Sequence, residues 1–108
     1  MTKAKLKKIY EREIKRIINA LKSYAPEQII LFGSAARGQF KLGSDLDLLI
    51  IKKTKKPFLQ RNIEARRCID ARIPVDLFVL TPKEIEEGKK NWQPFVIEVL
   101  EEGRVIYV

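Results

Sequence analysis

The sequence predicts an α+β (α/β) fold, a small mixed β-sheet packed by helices, in a single domain spanning residues 1–108. Two observations predict it. Apolar residues near the start recur every three to four positions, as on one face of a long helix, and three short apolar runs further on end abruptly at turn or charged residues, as buried strands do. Segments with helix-start signals separate those runs, which gives alternating helix and strand around one small sheet.

Leu6, Ile9, Tyr10, Ile14, Ile17, Ile18, Leu21 and Tyr24 form the apolar face of the first helix, from about residue 3 to 24, and Pro26 ends it. Gln28–Phe32 is short and β-branched, so it reads as a buried strand. Gly33-Ser34-Ala35-Ala36-Arg37-Gly38 reads as a tight turn into a short helix closed by Gly38. Asp45–Ile51 is the second strand, ended by Lys52-Lys53-Thr54-Lys55-Lys56.

Pro57 suits the first turn of a helix reaching about Ala71, because proline there loses no intrahelical bond. Asp70 falls on that helix and reads as a surface ion-pair partner. Pro74–Leu80 is the third strand, an apolar run broken by Asp76. Thr81-Pro82-Lys83-Glu84 has the form of a capping box, with Gly88 as a stop. A last helix opens at Asn91 or Gln93 with Pro94 and runs to Glu102; Gly103 caps it and Arg104–Val108 adds a short strand.

With 45% apolar and 33% charged residues, the 108-residue chain has the composition of a packed globular domain. No apolar run approaches the roughly 18 residues of a membrane span, and the lysine-rich start lacks the hydrophobic segment of a secretory signal. Cys68 stands alone and histidine is absent, so a metal here would be held by oxygen ligands. The expected home is the cytoplasm. The net charge of +8 favours polyanionic partners such as nucleotides, nucleic acid or an acidic protein. No aromatic residues interleave with the basic clusters as base-stacking platforms would, so nucleic acid is not the favoured partner.

The acids in the apolar runs need a separate account. Side chains alternate along a strand, so Asp45 and Asp47 share a face about 7 Å apart. Their repulsion is about 2 to 2.5 kcal/mol at an effective dielectric near 20. Such a pair is tolerable at a strand end and costly inside a core. Asp76 would lie beside them if its strand is the neighbour. Three converging carboxylates call for a counter-charge, and Mg²⁺ prefers one or two carboxylates together with phosphate oxygens. Gly33-Ser34 supplies the other half: glycine admits close backbone approach, free N–H groups point outward, and the Ser34 hydroxyl can donate to phosphate. Arg37, one turn on, can add charge or brace the loop. Together these residues point to metal-dependent phosphoryl or nucleotidyl transfer.

Gly33-Ser34, ten residues, then Asp45-x-Asp47 resembles the signature of the polymerase-β-type nucleotidyltransferase superfamily. Extended to Gly33-Ser34-Ala35-Ala36-Arg37-Gly38 and Ser44-Asp45-Leu46-Asp47-Leu48, the string resembles the minimal nucleotidyltransferases. The similarity includes the leading helix, Pro74-Val75-Asp76 and Glu102–Tyr107. The resemblance implies a polymerase-β-like palm, with Asp45, Asp47 and Asp76 as catalytic and metal-binding residues. It also implies nucleotide contacts from Gly33, Ser34, Arg37 and Ser44, and Mg²⁺ as cofactor, two ions with nucleotide bound. The reaction it implies is transfer of NMP, AMP from ATP in the first instance, to a hydroxyl.

The chain has little room for a separate acceptor domain, which suggests that a partner protein is the acceptor. The family further implies an antitoxin that adenylylates a tyrosine of a helical HEPN-type toxin. The alternatives are a non-catalytic nucleotide-binding antitoxin or interaction subunit, and nucleotidyl transfer to RNA or a small molecule. The apolar final segment Val105–Val108 makes a homo-oligomer a further expectation.

Overall fold

The computed structural model describes residues 1–108. The elements run α1 (Lys3–Leu21), β1 (Gln28–Phe32), α2 (Gly33–Ala36), β2 (Leu46–Ile51), α3 (Phe58–Arg67), β3 (Val75–Leu80), α4 (Pro82–Lys90), α5 (Pro94–Glu102) and β4 (Arg104–Tyr107). Thr2 caps α1, its hydroxyl accepting from the Lys5 N–H at 3.2 Å. The helix tightens into a 3₁₀ turn over Lys22–Tyr24, and Ala25 in the left-handed region leads into Pro26. The periodic face is buried at Tyr10, Ile14, Ile17, Leu21 and Tyr24, whereas Ile9 faces solvent.

The four strands lie in the order β3-β2-β1-β4. β1 is antiparallel to β2 and β4, and β2 is parallel to β3, so the sheet is mixed. Both faces are covered. Ile29, Leu31, Leu46, Leu48, Ile50, Val75, Leu77 and Val79 form one core with the apolar face of α1 and Ala65 of α3. Ile30, Leu49 and Ile51 form the second with Ile85 of α4 and Val96 and Val99 of α5. Burial on both faces explains why these strands read as near-continuous apolar runs.

The outer edge of β3 is closed by side chains of α3. Asn62 Oδ1 accepts from the Val79 N–H at 3.1 Å, while Arg66 donates to the Val75 carbonyl at 2.9 Å. Arg61, itself buried, donates to the Val79 and Lys56 carbonyls and to Glu84. An edge whose backbone groups are satisfied in this way offers no template for a further strand.

Several boundaries differ from the sequence reading. Asp45 precedes β2 rather than opening it. Pro57 is the residue before α3, not within its first turn, and α3 stops at Arg67. The chain leaves the helix there, and Ile69 and Ile73 pack against the first core. Asp70 consequently lies in a loop, where its backbone carbonyl accepts from Arg16. The capping box of α4 is present in full, but Gly88 does not stop that helix. It is buried inside it, where a Cβ would come 2.6 Å from a methyl of Val96, so glycine is what lets α5 pack so closely on α4. Gly103 is extended rather than left-handed, and its missing side chain makes room for the Val99 carbonyl and Ile30. No helix is long and apolar enough to cross a membrane.

Candidate active site

Strand direction assembles the site. Because β1 runs antiparallel to β2, the end of β1 lies beside the start of β2, and Phe32 pairs with Asp47. Because β2 and β3 are parallel, both start at this same end, and Asp47 pairs in register with Asp76. The turn at Gly33 therefore leaves β1 next to two carboxylates contributed by separate strands. Gly33 has φ of +73°, a conformation that costs glycine little, and it lies against the Asp47 carboxylate.

The three acids are not equivalent. Asp47 is half-buried, whereas Asp45 and Asp76 are exposed. Partial burial is the largest influence on Asp47 and raises its pKa above the usual aspartate value. The Asp76 charge adds to this, followed by the Asp45 charge and a hydrogen bond with Asp76. The Asp76 carboxylate in register beside Asp47 is a like charge that disfavours the ionised form of Asp47 after burial has done so. No three acidic, Cys or His side chains are close enough together to enclose a metal ion by themselves. The Asp47–Asp76 pair, with Asp45 near enough to act on it through its charge, is nevertheless an all-oxygen donor set. It fits a hard divalent cation that completes its coordination with phosphate and water.

Ser34 lies in α2, whose four residues are too few to carry a sizeable helix dipole. The contribution of this turn is close backbone approach together with the Ser34 hydroxyl. The Ser34 carbonyl accepts from the N–H groups of Arg37 and Gln39 at 3.1 and 3.0 Å, which fixes the turn. The Arg37 side chain pairs at 3.7 Å with Glu102 at the end of α5, so it braces the loop against that helix. Ser44 is held through its backbone: its carbonyl accepts from the Tyr10 hydroxyl at 2.6 Å. Of the sequence candidates, then, Gly33, Asp47 and Asp76 come together, Asp45 and Ser44 sit on the adjoining turn, and Arg37 reaches toward α5.

Two features beside the acids were not anticipated. Strand alternation places Asp47, Asp76, Phe32 and Phe78 on the sheet face covered by α4 and α5. There the rings of Phe32, Phe78 and Phe95 form a half-buried cluster with centroids 5.2–6.0 Å apart. Alternation could have revealed Phe32 and Phe78, but nothing in the sequence tied Phe95 to them. The second feature is a cavity of about 340 Å³ between α1 and the loop after Gly38, lined by Lys3, Lys7, Phe40 and Lys41 among others.

Residues 12–107 match the family of nucleotidyltransferase domains. A Methanocaldococcus jannaschii protein, named for a proposed protein adenylyltransferase activity, is 36% identical over 100 residues, which cover 90% of this chain and 97% of that protein. A crystal structure from Sulfolobus solfataricus, described as a proposed nucleotidyltransferase, shares the fold with a TM-score of 0.51 at 25% identity. That match covers 79% of this chain and 75% of the other.

Proposed function

We propose that this chain, which belongs to the nucleotidyltransferase domain family and is an enzyme of the minimal nucleotidyltransferase type, transfers AMP from ATP to a tyrosine hydroxyl of a partner protein. The expected partner is a HEPN-type toxin, with this chain as its antitoxin in the cytoplasm. The observation that carries the reading is the register pairing of Asp47 with Asp76 beside Gly33. The similarity to a protein named for protein adenylylation supports a protein as acceptor.

Asp45, Asp47 and Asp76 would hold Mg²⁺, two ions with nucleotide bound, and the metal would supply charge neutralisation for the attacking and leaving oxygens. The remaining work falls to the chain. Gly33 lets the triphosphate approach the backbone, and the Ser34 hydroxyl donates to it. Asp76, exposed at the sheet end, would receive the proton of the incoming hydroxyl. That hydroxyl bonds to the α-phosphorus, the bond to the β-phosphate oxygen breaks, and pyrophosphate leaves. Positioning and electrostatics suffice for such a transfer, so no nucleophilic side chain is required.

A second reading, transfer to a nucleic acid end, is favoured by one observation: the lysine-lined cavity abuts the loop that joins Ser34 to Asp45. One experiment separates the two. The protein is added to native lysate with Mg²⁺ and ATP labelled at the α-phosphate, alongside the Asp45→Asn/Asp47→Asn variant. Label on a discrete protein, absent with the variant, supports protein adenylylation and yields the acceptor. Label on nucleic acid supports the second reading. No acid-dependent label with any of the four NTPs would refute transfer and leave a nucleotide-binding antitoxin.

A further inference from the structure

We propose that Tyr10 is a positioning residue for Asp45: from α1, on the opposite side of the sheet, its hydroxyl fixes the turn that delivers this carboxylate to the site. The inference rests on the reading of Asp45 as a metal ligand.

Asp45 lies outside β2, so no ladder hydrogen bond sets its backbone. Its two chain neighbours do. On one side the Leu46 N–H donates to the Pro74 carbonyl at 2.9 Å. On the other, the Ser44 carbonyl accepts from the Tyr10 hydroxyl at 2.6 Å, and the same hydroxyl lies 3.0 Å from the Lys41 carbonyl. The Ser44 N–H closes the turn onto the Lys41 carbonyl at 3.0 Å, with Gly43 at φ +83° inside it. Between Gly38 and Asp45, the Tyr10 hydroxyl makes the only hydrogen bonds arriving from a distant part of the chain.

Apart from Phe40, which is half-buried against the first core, packing gives this turn little other support. Leu42 is 82% exposed, and Gln39, Lys41 and Gly43 also face solvent. Tyr10 is 3% exposed in the first core, and its ring packs on Phe40 of the loop at 5.2 Å, a contact that Tyr10→Phe would keep. Burial raises the Tyr10 pKa, the Ser44 bond opposes this, and the nearby Asp45 charge raises it further; the hydroxyl stays protonated and donates. Removing it would leave the Ser44 carbonyl without its donor, and the Lys41 carbonyl with the Ser44 N–H alone, and so free the turn, while the ring would still fill the core.

The test compares Tyr10→Phe with Tyr24→Phe, a second buried tyrosine whose hydroxyl also meets one backbone carbonyl, that of Arg61 at 3.4 Å. The first readout is amide hydrogen exchange in the nucleotide-free protein at Ser44 and Leu46, the two amides flanking Asp45. Exchange should quicken about tenfold in Tyr10→Phe, the scale of one net hydrogen bond, and stay unchanged in Tyr24→Phe. The second readout is Mn²⁺ binding with a non-hydrolysable ATP analogue, followed by EPR. Half-saturation should move several-fold to higher Mn²⁺ in Tyr10→Phe alone. Unaltered exchange at both amides would overturn the clamp. Faster exchange with unaltered Mn²⁺ binding would overturn the positioning role and leave Tyr10 a structural residue. Neither readout needs an acceptor, so both stand even if lysate labelling fails, whereas absence of Mn²⁺ binding in the unmutated protein would overturn the metal reading itself.

Discussion

Gly33 and Asp47 share a volume that admits no further carbon. A methyl group built on the Gly33 Cα would overlap Oδ2 of Asp47 and sit 3.2 Å from its carboxyl carbon. Gly33→Ala should therefore combine two penalties: the left-handed backbone costs about 1–2 kcal/mol, and the Asp47 carboxylate is pushed off its place. Transfer should fall by more than the stability loss explains. Gly38→Ala is the matched control, because Gly38 has the same φ of +73° but open space where its Cβ would stand. Urea denaturation should show Gly33→Ala destabilised at least as much as Gly38→Ala, with activity per folded molecule retained only in Gly38→Ala.

Asp47→Asn should abolish transfer yet raise thermal stability at neutral pH. The sign follows from the raised pKa of Asp47 in the folded state, where burial, the Asp76 charge and the Asp45 charge all disfavour the carboxylate. Such a group favours the folded state while protonated, below its unfolded pKa, and that contribution is lost as pH rises through the folded pKa. At pH 7 the ionised Asp47 is a strain on the fold that asparagine removes. Calorimetry should give a higher Tm for the variant at pH 7, with the difference shrinking as pH falls below the aspartate range.

Glu13 behaves in the opposite way. It is buried and accepts from the Arg16 guanidinium at 2.8 Å and from the Arg72 N–H at 2.5 Å. The Arg16 hydrogen bond is the largest influence, and it holds the Glu13 pKa below the ordinary glutamate value against the effect of burial. The stability this carboxylate contributes is present above its unfolded pKa and lost as pH falls through the lower folded one. Glu13→Gln should cost about 1.5–3 kcal/mol at pH 7, the range for hydrogen bonds to a buried charge. Chemical denaturation at pH 7 and again near pH 3 should show that penalty shrinking at the lower pH.

Arg37→Ala separates a brace from a ligand-binding residue. Its ion pair with Glu102 is about half exposed on both sides, and exposed pairs of this kind are worth about 0–1 kcal/mol. The Tm should hardly move. If Arg37 also reaches the nucleotide, the KM for ATP should rise several-fold with kcat little changed. An unaltered KM would confine Arg37 to bracing the loop against α5.

Much of this was legible in the sequence because it depends on short-range rules. Period-3.6 and β-branched runs located α1 and the first three strands, the Thr81-Pro82-Lys83-Glu84 box located α4, and Pro94 opened α5. The Gly33-Ser34 turn and the Asp45-x-Asp47 spacing marked the candidate site, since a local apolar run rarely carries carboxylates without a reason. The errors were also local. Gly88 reads as a helix terminator but lies inside α4, where Val96 approaches it across the fold, whereas Gly103 does cap α5, in an extended conformation with Ile30 against it.

The sequence by itself determined the elements and the carboxylates, because backbone periodicity and residue chemistry act within a few positions. The tertiary structure decided which of them meet. Parallel pairing of β2 with β3 put Asp76 opposite Asp47, whose pKa is raised by burial first and then by the Asp76 charge, and antiparallel β1 brought Gly33 against that carboxylate. It also brought the Arg72 N–H onto the Glu13 carboxylate, gathered Phe95 onto Phe32 and Phe78, and set the Tyr10 hydroxyl under the turn before Asp45. Each of these contacts joins residues more than ten positions apart or on different elements. Strand direction, register and helix packing set such contacts, and no local pattern records them.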